Sequence, residues 1–290
     1  MPLPARHPST DRTDYGPAAL LATVGGVEPR DRARAGTNLR AALSLFARHA
    51  PGAVLEERDG VLLIASAAAV TGPFHAAAVR VQPDRDAGQV LAAASRLART
   101  VRRDVIVWGA EDTDADLVGA LVAAGLREDP AAVGMSCRLP AVGATTPPEP
   151  DGVEVRRVAT AADVVAFTEV HRCSIVAAGR APESVAHFAT EGALADPAVD
   201  AFVASEGGVA VAAAMAVSTG SVAGIYWVVT HPDHRHRGLG RAVTTAAARA
   251  GGDRGADLVV LQATALGEPL YRRLGLVPFT RYRRLRVPWS

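Results

Sequence analysis

The sequence predicts an α/β fold in which a central, mostly antiparallel mixed sheet is flanked by helices, and in which this unit occurs twice in tandem. Both halves show the same order of predicted elements after a helical lead: three strands, a helix, a strand, a helix and a strand. The halves also share local patterns, since LVAAGL at 121–126 stands where YRRLGL stands at 271–276. A third observation is the stretch 228–242 (VVTHPDHRHRGLGRA), which predicts a strand, a Gly/Arg loop and a helix.

Chain length favours two domains over one. The 290 residues are 49% hydrophobic, which is enough to build two ordinary cores. We expect a loose arm over 1–29, a first domain over 30–140 and a second domain over 152–290. Residues 141–151 contain three prolines and form the predicted linker.

Several classes of protein are excluded by composition. The formal net charge is +1, which argues against a nucleic-acid partner. No apolar run is long enough to span a membrane, and the N-terminus lacks an apolar signal core, so a cytoplasmic protein is predicted. The two cysteines, Cys137 and Cys173, fit no metal or disulfide framework, and Cys173 is interpreted as a small packed side chain rather than a nucleophile.

The first half begins with a helix over 30–50, where apolar residues recur at helical spacing until Pro51 and Gly52 end it. Short apolar runs between turn residues then predict strands, and runs rich in Ala and Leu predict helices. These elements are strands over 53–57, 61–69 and 74–81, a helix over 86–100, a strand over 104–108, a helix over 114–124 and a strand over 133–139.

The second half repeats this order. A strand over 153–158 precedes two helices, the first of which begins at the capping sequence TAAD of 160–163. The later elements are strands over 200–205, 209–217 and 221–230, a helix over 239–250, a strand over 257–262, a short helix at 268–273 and a strand over 281–287.

The loop that follows the third of these strands carries the clearest functional signal. Pro232 ends the strand because proline cannot donate to a sheet ladder. Gly238 and Gly240 allow the backbone to approach a ligand, and the helix that begins there presents unpaired N–H groups and a positive dipole end. Such a helix start suits a phosphate or diphosphate group. Further donors are supplied by Arg235, His236, Arg237 and Arg241.

Three kinds of phosphate loop compete for this pattern. A P-loop is excluded because no Gly-Lys-Ser/Thr follows the glycines, and the chain contains no lysine. A dinucleotide fingerprint fits poorly, since Val243 stands where its third Gly or Ala belongs. The pattern Arg235-x-x-Gly238-x-Gly240 instead resembles the pyrophosphate loop of the GCN5-related N-acetyltransferase (GNAT) superfamily.

A second segment strengthens that resemblance. The sequence EPLYRRLGL of 268–276 resembles the Leu-Tyr-x-x-x-Gly-Phe segment that closes a GNAT acetyl-coenzyme A site, with Leu276 in place of the usual Phe. Acetyl-coenzyme A is therefore the implied cosubstrate, no metal is implied, and Tyr271 matches the general acid of the family. The residues that the resemblance assigns to acetyl-coenzyme A are Val228, Val229, Thr230, Arg235, His236, Arg237, Gly238, Leu239, Gly240, Arg241 and Ala242.

No general base is assigned, because Ile225, Tyr226 and Trp227 occupy the strand on which some family members carry a Glu. Candidates with weak support lie on the helices that border the acceptor pocket in the family, and a solvated helix face is the favoured alternative for each. These candidates are Glu169, His171 and His187. Tyr226 and Trp227 alternate in facing, so one is expected to line the acceptor pocket and the other to pack in the core.

A histidine cluster suggests a metal site and an arginine cluster suggests RNA binding, but both have simpler explanations. His231, His234 and His236 do not predict a metal site, because the neighbouring arginines repel a cation. The arginines between 272 and 286 are better explained by a solvated edge strand, or by counter-charge near the 3′-phosphate of coenzyme A, than by RNA binding.

The first half lacks the phosphate loop. After Pro83 the chain continues Asp84-Arg85-Asp86, and carboxylates at a helix start would repel a diphosphate. We therefore interpret 30–140 as a degenerate GNAT-like copy that packs against the working domain.

Two functions remain open at this point. The leading one is an N-acetyltransferase that transfers an acetyl group from acetyl-coenzyme A to an amine, on a small molecule in preference to a protein, by direct attack. The alternative is a noncatalytic acyl-coenzyme A-binding or regulatory module. Neither nucleic acid nor membrane is an expected partner, and a homodimer is compatible with the resemblance.

Overall fold

A computed structural model describes residues 27–67, 72–139, 141–142 and 150–290. Almost all of the predicted arm over 1–29 and most of the linker over 141–151 lie outside these residues. Within them, every helix is too short or too polar to cross a membrane.

The first half follows the predicted order of elements. In chain order they are α1 (Pro29–His49), β1 (Val54–Arg58), β2 (Val61–Ala65), β3 (Ala76–Arg80), α2 (Ala87–Val101), β4 (Val105–Ala110), α3 (Ala115–Ala123) and β5 (Arg127–Arg138).

The second half repeats that order, with additional short helices. Its elements are β6 (Val153–Arg157), α4 (Ala161–Ala177), a 3-10 helix (Pro182–His187), α5 (Glu191–Leu194), β7 (Val199–Glu206), β8 (Val209–Thr219), β9 (Val222–Thr230), a 3-10 turn (Pro232–His234), α6 (Leu239–Asp253), β10 (Leu258–Ala263), α7 (Glu268–Arg273) and β11 (Val277–Val287).

All eleven strands of the described residues form one mixed sheet, in the order β1-β2-β3-β4-β11-β5-β10-β9-β8-β7-β6. The last strand of each half is therefore exchanged: β11 pairs with β4 of the first half, and β5 pairs with β10 of the second half. This confirms the predicted mixed α/β sheet built from two repeated halves. The exchange joins the halves by main-chain ladders, while the domain boundaries at 140 and 152 stay a prediction.

The exchange also corrects the interpretation of the C-terminal arginines. β11 lies inside the sheet, between β4 and β5, so the predicted solvated edge strand is wrong. Arg283 forms ion pairs with Glu111 and Glu128, and Arg286 forms ion pairs with Asp104 and Asp129. Cross-strand charge pairs of this kind stabilise the polar start of β5, which a search for apolar runs misses.

Helices cover the two faces of the sheet and define where a ligand can approach. Leu62 and Ile64 point to the face covered by α1, α4 and the 3-10 helix, whereas Val61, Leu63 and Ala65 point to the face covered by α2 and α3. On that second face, α6 and α7 cover the strands of the second half. Helix α1 packs on strands of both halves on the first face.

Candidate active site

The sheet opens beside β9. Residues Val222–Gly224 of this strand pair in parallel with Leu258–Val260 of β10. Beyond these residues the ladder between the two strands ends. A β-bulge lies in the unpaired part, because Trp227 and Val228 together face Ala214 of β8. Trp227 adopts a left-handed φ of 53°, which is uncommon for a bulky residue. Bulges bend and re-aim a strand, and this one borders the gap in the sheet.

The predicted phosphate loop follows directly. His236 and Gly238 adopt left-handed φ angles of 64° and 82°, and Gly238 caps the start of α6. Among the described residues, no acceptor is found for the backbone N–H groups of 236–240. These donors and the positive end of the dipole of α6 face the same space, as an anion site requires.

One cleft of about 650 Å³ brings the predicted residues together. Ten of the twelve predicted site residues line it, and they are Val228, Val229, Thr230, Arg235, His236, Gly238, Leu239, Gly240, Arg241 and Tyr271. The opposite wall comes from the segment between β10 and α7 and from α7 itself, which sequence reasoning did not assign: Thr264, Leu266, Gly267, Pro269, Leu270 and Arg273. These residues could have been predicted from the sequence, because they lie close to the Tyr271 motif along the chain.

Two predicted residues do not line the cleft. The guanidinium of Arg237 lies 2.8 Å from a carboxylate oxygen of Glu206, which also lies 2.8 Å from Nδ1 of His234, so this side chain turns toward the end of β7. Ala242 is 6% exposed and packs beneath the helix start, where its backbone N–H bonds the Gly238 carbonyl. The side chains of these two residues therefore do not line the cleft, and their assignment to acetyl-coenzyme A stays a prediction.

Tyr271 stands at the cleft as a nearly buried side chain. It is 8% exposed, and its ring packs against Gly267, where an added Cβ would lie 2.9 Å from the ring. Burial raises the pKa of its phenol well above the usual value, so the hydroxyl keeps its proton at neutral pH. Within the described part of the chain that hydroxyl has no hydrogen-bond partner. A proton donor is therefore available to a ligand in the cleft.

Residues 197–277, which contain most of this site, match the family model of the acetyltransferase (GNAT) domain. The chain thus fits the GNAT superfamily. No curated protein is significantly similar to this sequence. The family that the two motifs resemble is confirmed.

Solved structures agree at the level of the fold. A GCN5-related N-acetyltransferase from Kribbella flavida superposes with a TM-score of 0.66 at 21% identity, covering 88% of this chain and 96% of its own. A tandem GNAT protein from the clavulanic acid biosynthesis pathway gives 0.58 at 13% identity, covering 89% and 96%. A GCN5-related N-acetyltransferase from Sphaerobacter thermophilus gives 0.51 at 16%, covering 86% and 93%. The tandem GNAT fold therefore extends over most of the chain.

His171 of α4 contacts the bulge. Its Nε2 lies 2.7 Å from the carbonyl of Trp227, and its Nδ1 lies 2.8 Å from the carbonyl of Phe167. Burial lowers the pKa of the ring, which is therefore neutral and carries one proton. The Phe167 carbonyl is also the helical acceptor for the N–H of His171, so we assign the proton to Nε2. Because peptides are planar and trans, the Val228 N–H points away from α4.

The other two base candidates differ in their surroundings. Glu169 is exposed and forms an ion pair with Arg172, which lowers the pKa of the carboxyl to about 2 and leaves it on a solvated helix face. His187 is 2% exposed and lies 5.0 Å from His75, ring centroid to ring centroid. Within the described residues, both ring nitrogens of His187 and Nδ1 of His75 lack partners.

These two histidines predict an acid-sensitive fold. Burial lowers the pKa of His75 to about 4 and that of His187 to about 3, and the positive charge of Arg103 acts in the same direction on both. An unfolded histidine has a pKa near 6.5, so unfolding takes up protons below that pH, and stability falls as the pH drops from about 6.5 to 4. Each histidine is expected to contribute on the order of 2–3 kcal/mol to this loss.

Urea unfolding at pH 7 and at pH 4.5 measures the effect. The double variant His75→Gln/His187→Gln should lose clearly less stability between the two pH values than the unmodified protein. Carboxyl groups take up protons near pH 4.5 in both proteins alike, so the difference between the two proteins reports the histidines. An equal loss in both proteins would contradict the burial of neutral histidines.

In the first half, side chains of the protein itself bond at the end of β3 and at the start of α2. Arg80, at the end of β3, is 4% exposed in its side chain and bonds Asp114 and Asp116, each at 2.8 Å. The start of α2 is also occupied, because the Asp86 side chain accepts from the backbone N–H of Gln89 at 2.8 Å. The start of α2 is thus capped by a side chain, whereas the start of α6 has no side-chain cap, and the interpretation of 30–140 as a degenerate copy stays a prediction.

Removal of one Arg80 partner should destabilise the protein without touching the cleft. Asp114→Ala leaves the buried guanidinium with Asp116 and the backbone carbonyls of Arg85 and Thr113, and hydrogen bonds to charged groups contribute about 1.5–3 kcal/mol each. We expect a loss of that size in urea unfolding. Glu56→Ala removes an exposed partner of Arg58 and should change stability by less than about 0.5 kcal/mol. Equal effects of the two substitutions would contradict a structural role for Arg80.

No group of three or more His, Cys, Asp or Glu residues suited to a metal ion is found among the described residues. His234 bonds Glu206, and His231 lies 3.9 Å from Asp233. Two of the three loop histidines therefore lie beside carboxylates of the protein, and the third, His236, lines the cleft.

Proposed function

We propose that this protein is an N-acetyltransferase that uses acetyl-coenzyme A as cosubstrate and a small-molecule amine as acceptor. The observation that carries the proposal is the single cleft that joins the free amides of 236–240, the open strand end of β9 and the hydroxyl of Tyr271. A GNAT domain match at 197–277 supports acyl transfer as the class of reaction.

The loop residues fit the diphosphate of coenzyme A. The backbone amides of 236–240 and the dipole of α6 supply directed positive charge, and the side chains of Arg235 and Arg241 line the same cleft. Gly240 lacks the Cβ that would stand 3.2 Å from Oγ1 of Thr230, so the backbone remains accessible. Val228–Thr230, whose edge toward β10 is unpaired, would bind the pantetheine arm.

When bound, acetyl-coenzyme A would supply a thioester: the amine nitrogen bonds to its carbonyl carbon and loses a proton to solvent, the C–S bond breaks, and the departing thiolate takes a proton. The bulge held by His171 orients the Val228 N–H away from α4, where it can donate to a carbonyl oxygen. Tyr271 holds a proton that suits the leaving thiolate. Most of the rate gain is expected from this orientation, and no covalent enzyme intermediate is needed.

One observation favours the second function, an acyl-coenzyme A-binding module without turnover. Tyr271 belongs to the apolar cluster beneath α6, together with Leu239, Val243 and Leu274. A tyrosine that only packs would occupy the same position. In that case the cleft would bind the cofactor, and substitution of the hydroxyl would have no kinetic consequence.

The test combines calorimetric titration with acetyl-coenzyme A and thiol release over a panel of amines. Binding with amine-dependent release supports the transferase. Binding without release over the whole panel favours the binding module, and absence of binding would remove the assignment of the cleft. Because the panel includes acidic, neutral and basic amines, it also begins to identify the acceptor.

A further inference from the structure

The carboxylate of Glu206 lies beside the phosphate loop although it belongs to another strand. Glu206 is the last residue of β7, and β7 and β9 run in the same direction because each is antiparallel to β8. Both strands therefore end at the same edge of the sheet. Side chains alternate along a strand, and Phe202 and Ala204 of β7 pack in the cluster beneath α6. Glu206 therefore points to the side of the sheet on which α6 begins.

One oxygen of this carboxylate contacts two side chains of the loop. Oε2 of Glu206 lies 2.8 Å from Nδ1 of His234 and 2.8 Å from a guanidinium nitrogen of Arg237. Because an ionised carboxylate only accepts hydrogen bonds, we assign a proton to Nδ1 of His234. The Glu206 side chain is only 16% exposed, so water screens these contacts in part. The loop is thus tied to β7 at two points three residues apart.

The other hydrogen bonds of 232–237 within the described residues are local. The backbone N–H groups of His234 and Arg235 donate to carbonyls three residues earlier, inside the 3-10 turn. The backbone N–H groups of 236–240 have no acceptor in the described part of the chain. The carboxylate of Glu206 therefore supplies the link between this part of the loop and the sheet.

The anchored side chains flank the backbone that faces the cleft. Arg237 directs its guanidinium to Glu206, whereas its backbone N–H is one of the free donors of 236–240. His236 adopts a left-handed φ of 64°, an unfavourable conformation for a residue with a Cβ. Such a conformation persists where the surrounding structure holds it. The contacts that hold it on either side are those of Glu206 with His234 and Arg237.

The carboxylate has two opposite effects on an anion in the cleft. Its negative charge repels a diphosphate, and it withdraws the guanidinium of Arg237 from the cleft. If this were the larger effect, removal of the charge would free Arg237 and strengthen binding. The carboxylate also holds the amides in one arrangement, and a loop that must be ordered on binding loses affinity. If the second effect is larger, removal of the charge weakens binding.

We propose that Glu206 is a positioning residue of the acetyl-coenzyme A site, which acts through His234 and Arg237 to present the amides of 236–240 to the diphosphate. The guanidinium of Arg237 serves as the anchor, and the main chain of Arg237 contacts the cofactor. This role rests on the proposed function, because it requires that the cleft bind acetyl-coenzyme A. It adds to the site a residue of β7 that the loop motif does not contain.

Glu206→Gln tests the sign of the effect. Glutamine keeps the size of the side chain and removes its charge, and we expect the dissociation constant of acetyl-coenzyme A to rise at least about tenfold, or about 1.4 kcal/mol. Asp196→Asn is the matched control: this carboxylate lies 2.8 Å from His49, is 13% exposed and precedes the other end of β7. Its substitution should change the constant less than about twofold in the same calorimetric titration. An unchanged or lower constant in Glu206→Gln, or an equal rise in both variants, would overturn the role of Glu206.

Arg237→Gln tests the anchor. It should raise the dissociation constant about as much as Glu206→Gln does, and the double variant should be no worse than either single variant, because both substitutions break one link. Arg237→Lys keeps a charge that can reach Glu206 and should retain most of the affinity. Additive losses in the double variant would contradict a shared role.

A thioester without the diphosphate separates positioning from a general loss of structure. S-acetylpantetheine shares the thioester and the pantetheine arm with acetyl-coenzyme A. Glu206→Gln should lower kcat/KM for acetyl-coenzyme A at least about tenfold and leave kcat/KM for S-acetylpantetheine within about twofold. Equal losses with both thioesters would contradict positioning.

The calorimetric comparison requires no turnover, so it distinguishes failure of this role from failure of the proposed function. Normal affinity of the unmodified protein for acetyl-coenzyme A, with undiminished affinity in a folded Glu206→Gln protein, overturns the role of Glu206 alone. Absence of acetyl-coenzyme A binding by the unmodified protein overturns both. Thermal unfolding establishes that each variant is folded.

Discussion

Gly240→Val is expected to abolish measurable binding of acetyl-coenzyme A. An added Cβ would stand 3.2 Å from Oγ1 of Thr230 and 3.4 Å from Leu270, and the two methyl groups of valine extend further into the cleft. Overpacking alone typically costs about 1–3 kcal/mol, and the diphosphate also loses its close approach to the helix amides. We expect the dissociation constant to rise at least about a hundredfold, or about 2.8 kcal/mol.

Gly119→Val provides the matched control. Gly119 is a helical glycine in α3 with no atom within 4 Å of an added Cβ, so valine there should leave both fold and cofactor affinity unchanged. Calorimetric titration of both variants, with thermal unfolding to confirm folding, makes the comparison. Undiminished affinity in a folded Gly240→Val protein would falsify the placement of the diphosphate.

Much of the fold could be predicted because its signals are local. Apolar runs bounded by glycine turns identified the strands, and Pro51-Gly52 together with the TAAD cap marked helix ends. The exchange of β5 and β11 could not be predicted, because each half taken alone would place its last strand beside its own fourth strand. The polar start of β5, REDPA at 127–131, shows why: its pairing depends on Arg283 and Arg286, more than 150 residues away.

The candidate site also has a part that could be predicted from the sequence and a part that could not. The phosphate loop is contiguous, so Gly238, Gly240 and their arginines could be predicted from one short motif and its resemblance to the GNAT loop. The direction of the Arg237 side chain could not be predicted from the loop, because its partner, Glu206, lies on another strand. The rings of His75 and His187 lie 5.0 Å apart, although the two residues come from separate segments of the two halves. Nothing in the spacing of these residues along the chain indicates that they meet.

Tyr271 is the residue on which the choice between enzyme and binding module depends. Its burial raises the pKa of the phenol, so the proton remains bound throughout the neutral range, and the hydroxyl faces a cleft rather than a protein acceptor. A phenol that only filled space could lose its oxygen without kinetic effect, because the ring would keep its contacts with Gly267. A phenol that protonates a thiolate could not, because phenylalanine has no proton to give.

Tyr271→Phe should therefore lower kcat by about 10²- to 10⁴-fold, the usual contribution of a general acid, while the dissociation constant of acetyl-coenzyme A changes less than about twofold. Tyr282→Phe is the matched control: its phenol is also buried with a raised pKa, but it lines a separate small pocket beside Arg80. Steady-state thiol release and calorimetry on both variants give the two quantities. Because the ring is retained, an unchanged kcat in Tyr271→Phe would mean that this side chain packs and does not donate, and the acyl-coenzyme A-binding module would become the better account of the cleft.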